Sequence, residues 1–312
     1  GALGTAPLRE AIAGHYRDWY GVAVAPASVA VTTGSSGAFQ LVFLAAFNPG
    51  DRVALASPGY PAYRNILTAL GVQVIELQTG PETRYQPTPA LLDAAEVEFG
   101  ALRGLVIASP ANPTGTMLGR DELTDLVSWC GARNVRLISD EIYHGITFGD
   151  PADPDRRGVS ARALDPGAIV INSFSKYWGM TGWRLGWALL PEDLIAPMEA
   201  LASNFALSPP APAQEMAPTA FTPDTSAERD ALVAGFARAR QLIPHAERAP
   251  DPGGAAPPDA ALYPHSAPPP HFARFGSAPR APPARLELPA PPAVPPRQPP
   301  PRPDRPGAPP LS

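Results

Sequence analysis

From Leu8 to about Ala206 the apolar residues of this chain recur with two periods in turn, one helical and one suited to buried strands. Leu8, Ala11, Ile12, Tyr16, Trp19 and Tyr20 fall at helical spacing, and Gly21 is placed to stop that helix. A short β-branched run from Val29 to Thr33 follows. The next helical stretch, Ser36 to Phe47, ends in Asn48-Pro49-Gly50-Asp51, a dense turn signal before the strand-like run Arg52 to Ala56. The same pattern predicts helices at Ala62 to Leu70, Ala90 to Phe99, Arg120 to Cys130 and Glu192 to about Ala206. It predicts further strands at Val72 to Leu77, Leu105 to Ser109, Val135 to Ser139, Ala168 to Asn172 and Leu185 to Leu190. Alternating helices and near-continuous apolar strands imply an α/β fold, a mostly parallel sheet covered by helices on both faces. In such sheets ligands gather at the carboxyl ends of the strands.

Near Arg248 the pattern stops. Residues 250–312 carry 23 of the 44 prolines and almost no periodic apolar signal. The expected organisation is therefore a domain over 1–248, which includes the start of a second, smaller region, and a Pro-rich, disordered tail over 249–312. The abrupt switch suggests an out-of-frame or unselected end. Gly1 in place of Met, with a helix beginning at once, suggests a natural start upstream.

Composition narrows the function. A net charge of -5 provides no basic stripe, so nucleic acid is not an expected partner. The longest apolar run, Ala38 to Phe47 around Gln40, is far too short to span a membrane, so a cytoplasmic protein is expected. A single cysteine, Cys130, forms no disulfide framework and fits a reducing compartment. His15, on the first helix, is expected at the surface; His144 has no metal-ligand spacing, and no metal is expected.

The basic residues carry the sharpest signal. Of 24 Lys plus Arg, 23 are Arg, and Lys176 is the one lysine. A guanidinium covers ion pairing and phosphate binding but does not form a Schiff base, so a requirement for an amine at 176 explains the exception; chance survival under an Arg bias is the alternative. Ser173-Phe174-Ser175-Lys176 lies just past a predicted strand, and Met180-Thr181-Gly182-Trp183-Arg184-Leu185-Gly186 follows. A lysine can condense with an aldehyde cofactor, while hydroxyls and a guanidinium hold its phosphate. Four other motifs also follow predicted strands: Thr33-Gly34-Ser35-Ser36-Gly37, Ser57-Pro58-Gly59-Tyr60-Pro61, Ser109-Pro110-Ala111-Asn112-Pro113-Thr114-Gly115 and Asp140-Glu141-Ile142-Tyr143. Taken singly, these read as a helix N-terminus, a core tyrosine, an ordinary turn and a helix cap.

Taken in order, they resemble the class I and II aminotransferases, the fold type I group of enzymes dependent on pyridoxal 5′-phosphate. Ser-x-Ser-Lys followed by Gly-x-x-Gly-Trp-Arg-x-Gly closely resembles that family's cofactor-attachment signature, and the likeness runs from about Gly1 to Arg240. The resemblance implies that Lys176 is catalytic and holds the cofactor as a Schiff base. It also implies that Asp140 pairs with the pyridinium nitrogen, that Tyr143 and Asn112 bond the phenolic oxygen, and that Tyr60 stacks on the ring. Ser35, Ser36, Ser173 and Arg184 would bind the phosphate.

The implied reaction moves an amino group from an amino acid to a 2-oxo acid, in a homodimer. A β-elimination lyase or decarboxylase on the same fold, or an inactive fragment, are the alternatives. The family's substrate-carboxylate arginine has no matching motif in the tail, so its small domain is expected to be missing or degraded.

Overall fold

The computed structural model describes residues 1–150, 152–240 and 259–260, and its centre is one seven-stranded sheet. The strands are β1 (Val29–Thr32), β2 (Arg52–Ser57), β3 (Gln73–Gln78), β4 (Gly104–Ala108), β5 (Arg136–Asp140), β6 (Ile169–Ser173) and β7 (Gly186–Leu189), in the order β1-β7-β6-β5-β4-β2-β3. From β3 to β6 the neighbours are parallel, whereas β7 is antiparallel to both β6 and β1. The helices are α1 (Ala6–Tyr20), α2 (Gly34–Ala46), α3 (Pro61–Ala69), α4 (Pro89–Phe99), α5 (Arg120–Arg133), α6 (Glu192–Leu201), α7 (Ala211–Met216) and α8 (Pro223–Arg240).

Successive strand residues point to opposite faces, and both faces are apolar. Leu105, Ile107, Leu137 and Val170 join one core with α1, α4 and α5. Val106, Ile138, Ile169 and Ile171 join the other with α2, α3 and α6. The result is the three-layer α/β arrangement that the continuous apolar strands imply. Helix ends follow local chemistry. Gly21 adopts φ 67 and donates its N–H to the Arg17 carbonyl at 3.1 Å, closing α1. The Thr88 hydroxyl accepts Leu91 N–H at 3.3 Å to open α4, and the Glu122 carboxylate accepts Gly119 N–H at 2.6 Å at the start of α5.

Three features depart from the sequence expectations. The helix predicted from Glu192 to about Ala206 is α-helical only to Leu201 and continues as a π turn, Ala202–Ala206. There the Ser203 hydroxyl donates to the Glu199 carbonyl at 2.7 Å and the Asn204 amide to Ala200 at 2.7 Å, competing with the backbone ladder. Helices α7 and α8 were not anticipated: short Ala/Pro-rich text builds the first, and Val233 and Phe236, three apart, are the main inward contacts of the second.

His15, expected at the surface, is buried. Its ring lies 4.4 Å from Trp19, 5.0 Å from Phe221 and 5.3 Å from Trp178. The inward stripe of α1 is wider than Leu8, Ile12 and Tyr16, and it takes in the position three beyond Ile12. Burial pushes this imidazole down to about 3, so it is neutral.

Of the stretch 249–312, read as a disordered tail, only Asp259 and Ala260 are among the described residues. Ala260 is buried, bridges Thr147, and donates its N–H to the Gly115 carbonyl at 2.9 Å. No helix among the described residues is long and apolar enough to cross a membrane.

Candidate functional site

The parallel strands deliver their carboxyl ends to one edge of the sheet, and the antiparallel β7 begins at that same edge. Asp140 ends β5, Ser173 ends β6, Ser109 follows β4, and Tyr60 follows β2 by three residues. Thr33 links β1 to the N-terminus of α2, and Arg184 lies two residues before β7. Six chain segments far apart in sequence thus meet. A cavity of about 180 Å³ opens among them, lined by Ser35, Ser36, Tyr60, Asn112, Asp140, Tyr143, Lys176 and Arg184. Of the nine residues singled out from the sequence, only Ser173 is not in its lining.

Ser173 lies behind the wall. It is buried, its Oγ is 2.8 Å from Ser175 Oγ and 3.1 Å from the Leu185 carbonyl, and it accepts Ser175 N–H at 3.1 Å. It shapes the lysine turn, while Ser175 faces the cavity. Lys176 Nζ sits 5.3 Å from the centroid of the Tyr143 ring.

Two glycines allow the close approach of α2, the Arg184 loop and β7. Gly34 has φ 71, and a Cβ there would fall 2.7 Å from Arg184 Nη2. A Cβ on Gly186 would fall 2.7 Å from both Gly34 C and Ser35 N. Arg184 donates from Nη1 to the Thr181 carbonyl at 3.2 Å. Its guanidinium therefore lies beside the free N–H groups at the start of α2, where the helix dipole and the cation both favour an anion.

Asp140 is buried. Its Oδ1 accepts Ile142 N–H at 3.1 Å, and its Oδ2 accepts the Tyr63 hydroxyl in a short hydrogen bond. Burial pushes the carboxyl up to about 6; the Tyr63 and Ile142 hydrogen bonds and the charge of Lys176 oppose that rise. Tyr63 remains a proton donor, because burial and the Asp140 charge hold its phenol well above the usual range.

Tyr63 was not singled out from the sequence, and neither were Ser175 and Thr181, which also line the cavity. A signal for Tyr63 exists: it stands three residues past Tyr60 on α3, with the two rings edge to face at 5.4 Å.

Behind the Asp140 turn lies a second polar group. Glu141 Oε1 accepts Ala161 N–H at 2.8 Å and the Ser160 hydroxyl at 3.2 Å, and Tyr20 Oη is 2.9 Å from His144 Nδ1. Burial pushes Glu141 up to about 8 and His144 down to about 3, so both are uncharged at neutral pH. Asp140 is then the acidic group of the cavity wall that ionises near neutrality. Among the described residues no group of His, Cys, Asp and Glu is arranged to hold a metal ion.

The donor set suits a flat, phosphorylated aldehyde with a basic ring nitrogen. It combines one amine, a buried carboxylate that forms no salt bridge among the described residues, phenol and amide hydrogen-bonding groups, and a helix N-terminus closed by an arginine. Pyridoxal 5′-phosphate has this chemistry.

Comparison with known proteins agrees. The family model for aminotransferase class I and II matches residues 2–264. A valine–pyruvate aminotransferase of Mycobacterium tuberculosis is 49% identical over 262 residues, which is 84% of this chain and 66% of the relative. An aspartate/prephenate aminotransferase of Thermus thermophilus is 32% identical over 212 residues, 68% of this chain and 53% of the relative. Among solved structures, an aminotransferase from Mycobacterium tuberculosis superposes with TM-score 0.73 at 50% identity, covering 78% of this chain and 64% of that one. A Thermus thermophilus aspartate aminotransferase variant gives TM-score 0.76 at 30% identity, covering 83% and 70%. The chain spans just under two thirds of the length of its valine–pyruvate aminotransferase relative. On the match over residues 2–264 and these identities, the chain belongs to the class I and II aminotransferase family.

Proposed function

We propose that this protein is a transaminase that moves an amino group from an amino acid to a 2-oxo acid, with pyridoxal 5′-phosphate held on Lys176. The observation that carries the reading is the convergence, in one cavity, of the chain's one lysine, a buried carboxylate and the arginine-closed N-terminus of α2.

When bound, the cofactor supplies an electron-withdrawing ring beside the substrate's α-carbon. The chain's residues do the rest. Lys176 Nζ anchors the aldehyde carbon and, once a substrate amine displaces it, carries the proton removed from the α-carbon. Asp140, held ionised by Tyr63, keeps a proton on the ring nitrogen. Asn112 and Tyr143 bond the phenolic oxygen, and Tyr60 covers one ring face. Ser35, Ser36 and Arg184 take the phosphate, Ser175 adds a hydroxyl, and Ser173 supports that turn.

The homodimeric, cytoplasmic setting belongs to the same reading. Phe205 and Leu207, 73% and 72% exposed, give a dimer an apolar surface to cover.

The test is to add pyridoxal phosphate to the purified chain and look for a visible band that borohydride fixes at Lys176. Valine with pyruvate is the first donor and acceptor pair to try, because the 49% identical relative carries those names. Formation of 2-oxoisovalerate and alanine supports the proposal. Release of ammonia or carbon dioxide in place of alanine would assign a lyase or decarboxylase, and a folded chain that forms no band would refute cofactor attachment.

A further inference from the structure

The residue after the lysine turns away from the cavity into a cluster of its own. Tyr177 is buried, with its ring edge-on to Trp19 at 5.0 Å and to Trp178 at 5.2 Å. It packs so closely on the loop after Tyr143 that a Cβ on Gly145, φ 85, would fall 2.6 Å from its Cδ2. Its hydroxyl donates to Asp230 Oδ1 at 2.7 Å. Asp230 is on α8, and it also receives both arms of Arg157, Nη1 to Oδ1 at 3.0 Å and Nη2 to Oδ2 at 2.6 Å. The Arg157 guanidinium lies over the Trp19 ring at 4.1 Å, and the Arg157 carbonyl accepts Gly145 N–H at 3.0 Å.

We propose that Tyr177, Arg157 and Asp230 form a clasp that positions Lys176 by tying the residue beside it to helix α8. This rests on the reading of Lys176 as the cofactor lysine. Three segments meet at the clasp: the loop after Tyr143, the lysine turn and α8. Each restrains a different direction. A two-armed guanidinium–carboxylate pair has one good geometry, so it fixes orientation as well as distance. The stacking of Arg157 on Trp19 sets the guanidinium plane, and the Tyr177 hydroxyl transmits that setting to the lysine backbone.

A purely stabilising role explains less. The pair is partly open to water, at 18% and 45% side-chain exposure, and such ion pairs add little to stability. Tyr177, Arg157 and Asp230 touch no reacting atom, so they are positioning residues. Whatever shifts α8 along its axis shifts the lysine turn with it.

The single lysine makes a direct test possible. Reductive methylation with ¹³C-formaldehyde gives one side-chain amine resonance, from Lys176, beside that of the Gly1 α-amine. In the cofactor-free chain, Tyr177→Phe and Asp230→Ala are expected to narrow the Lys176 resonance and move it towards the shift of a solvent-exposed lysine. Asp193→Asn, which breaks the Arg136–Asp193 pair of 2.9 Å elsewhere, leaves it unchanged. In the loaded enzyme kcat falls about tenfold with KM nearly constant, the pattern of a displaced reacting group. An unchanged Lys176 resonance in folded Tyr177→Phe overturns the clasp, and so does an equal change in Asp193→Asn. Tyr177→Phe removes one oxygen and carries the test alone if Asp230→Ala does not fold. Failure of the wild type to take up the cofactor would count against the proposed function and would leave the resonance comparison intact.

Discussion

Replacing Tyr63 with Phe removes one oxygen and isolates the electrostatics of the cavity. In the wild type, burial pushes Asp140 up to about 6, and that value already includes the lowering by Tyr63. A hydrogen bond to a charged group contributes roughly 1.5–3 kcal/mol. At 1.36 kcal/mol for each tenfold change, its loss moves the Asp140 titration upward by about one to two pH units. At pH 7 the wild-type carboxyl is mostly ionised, whereas in the variant half or more is neutral and cannot pair with a protonated ring.

The assay is binding of 4′-deoxypyridoxine 5′-phosphate between pH 5 and 9. This analogue lacks the aldehyde and keeps Lys176 chemistry out of the measurement. Titration of the ligand's own phosphate and ring is common to both proteins and cancels in the ratio of their Kd values. That ratio is expected to be about 2 to 10 near pH 7 and to approach one above pH 8.5, where both carboxyls are largely ionised. Stability should follow with the matching sign. An acid whose folded titration is raised costs stability as pH climbs from its ordinary value through the raised one, so both proteins lose stability from about pH 4, and the variant's extra deficit opens only above about pH 6, where the wild-type carboxyl titrates and the variant's does not. A Kd ratio independent of pH would refute the claim that Tyr63 acts through the charge of Asp140.

Three further outcomes are expected. Lys176→Ala should bind the aldehyde-free analogue within a few-fold of wild type, yet lose the borohydride-fixable band and at least about 10²-fold in transamination, measured by coupled keto-acid assay. Gly34→Ala places a methyl 2.7 Å from Arg184 Nη2 at φ 71, so urea unfolding should show a loss of about 1–3 kcal/mol, with weaker binding of pyridoxamine phosphate. His15 and His144, both pushed down to about 3 by burial, leave the folded state with fewer protons than the unfolded one below pH 6.5. Stability is therefore lost as pH falls through that window, and His15→Phe should flatten the slope of unfolding free energy against pH by about 1.4 kcal/mol per pH unit, read from urea melts at pH 4 to 6.5.

Much of this architecture is legible along the chain because the strands are apolar on both faces. Runs such as Leu105 to Ile107 and Ile169 to Ile171 announce a covered, mostly parallel sheet, and the turn after each strand announces its share of the site. Spacing alone does not give the antiparallel entry of β7, although it is this reversal that brings Arg184 to the edge shared with Asp140. His15 was misread because a polar side chain on an amphipathic helix usually faces water, and here an aromatic cluster larger than the stripe of α1 encloses it. Tyr63 carries only the weak signal of its spacing from Tyr60. Its short bond to Asp140 spans 77 positions, so that spacing does not name the partner.

The position of β1 sets an order on the birth of the molecule. Val29 pairs with Leu189, and Thr32 with Gly186, so the strand that launches the α2 cradle has no neighbouring strand among the described residues until the ribosome has released almost everything between them. Strands β2 and β3, joined by a single helix, can pair early, whereas α1 and β1 must wait with their apolar faces open. A chain halted before residue 186 would hold the lysine and the aspartate but lack the strand that brings Arg184 to Gly34. Synthesis through β7 is thus the moment at which the polypeptide first acquires a place for an anion.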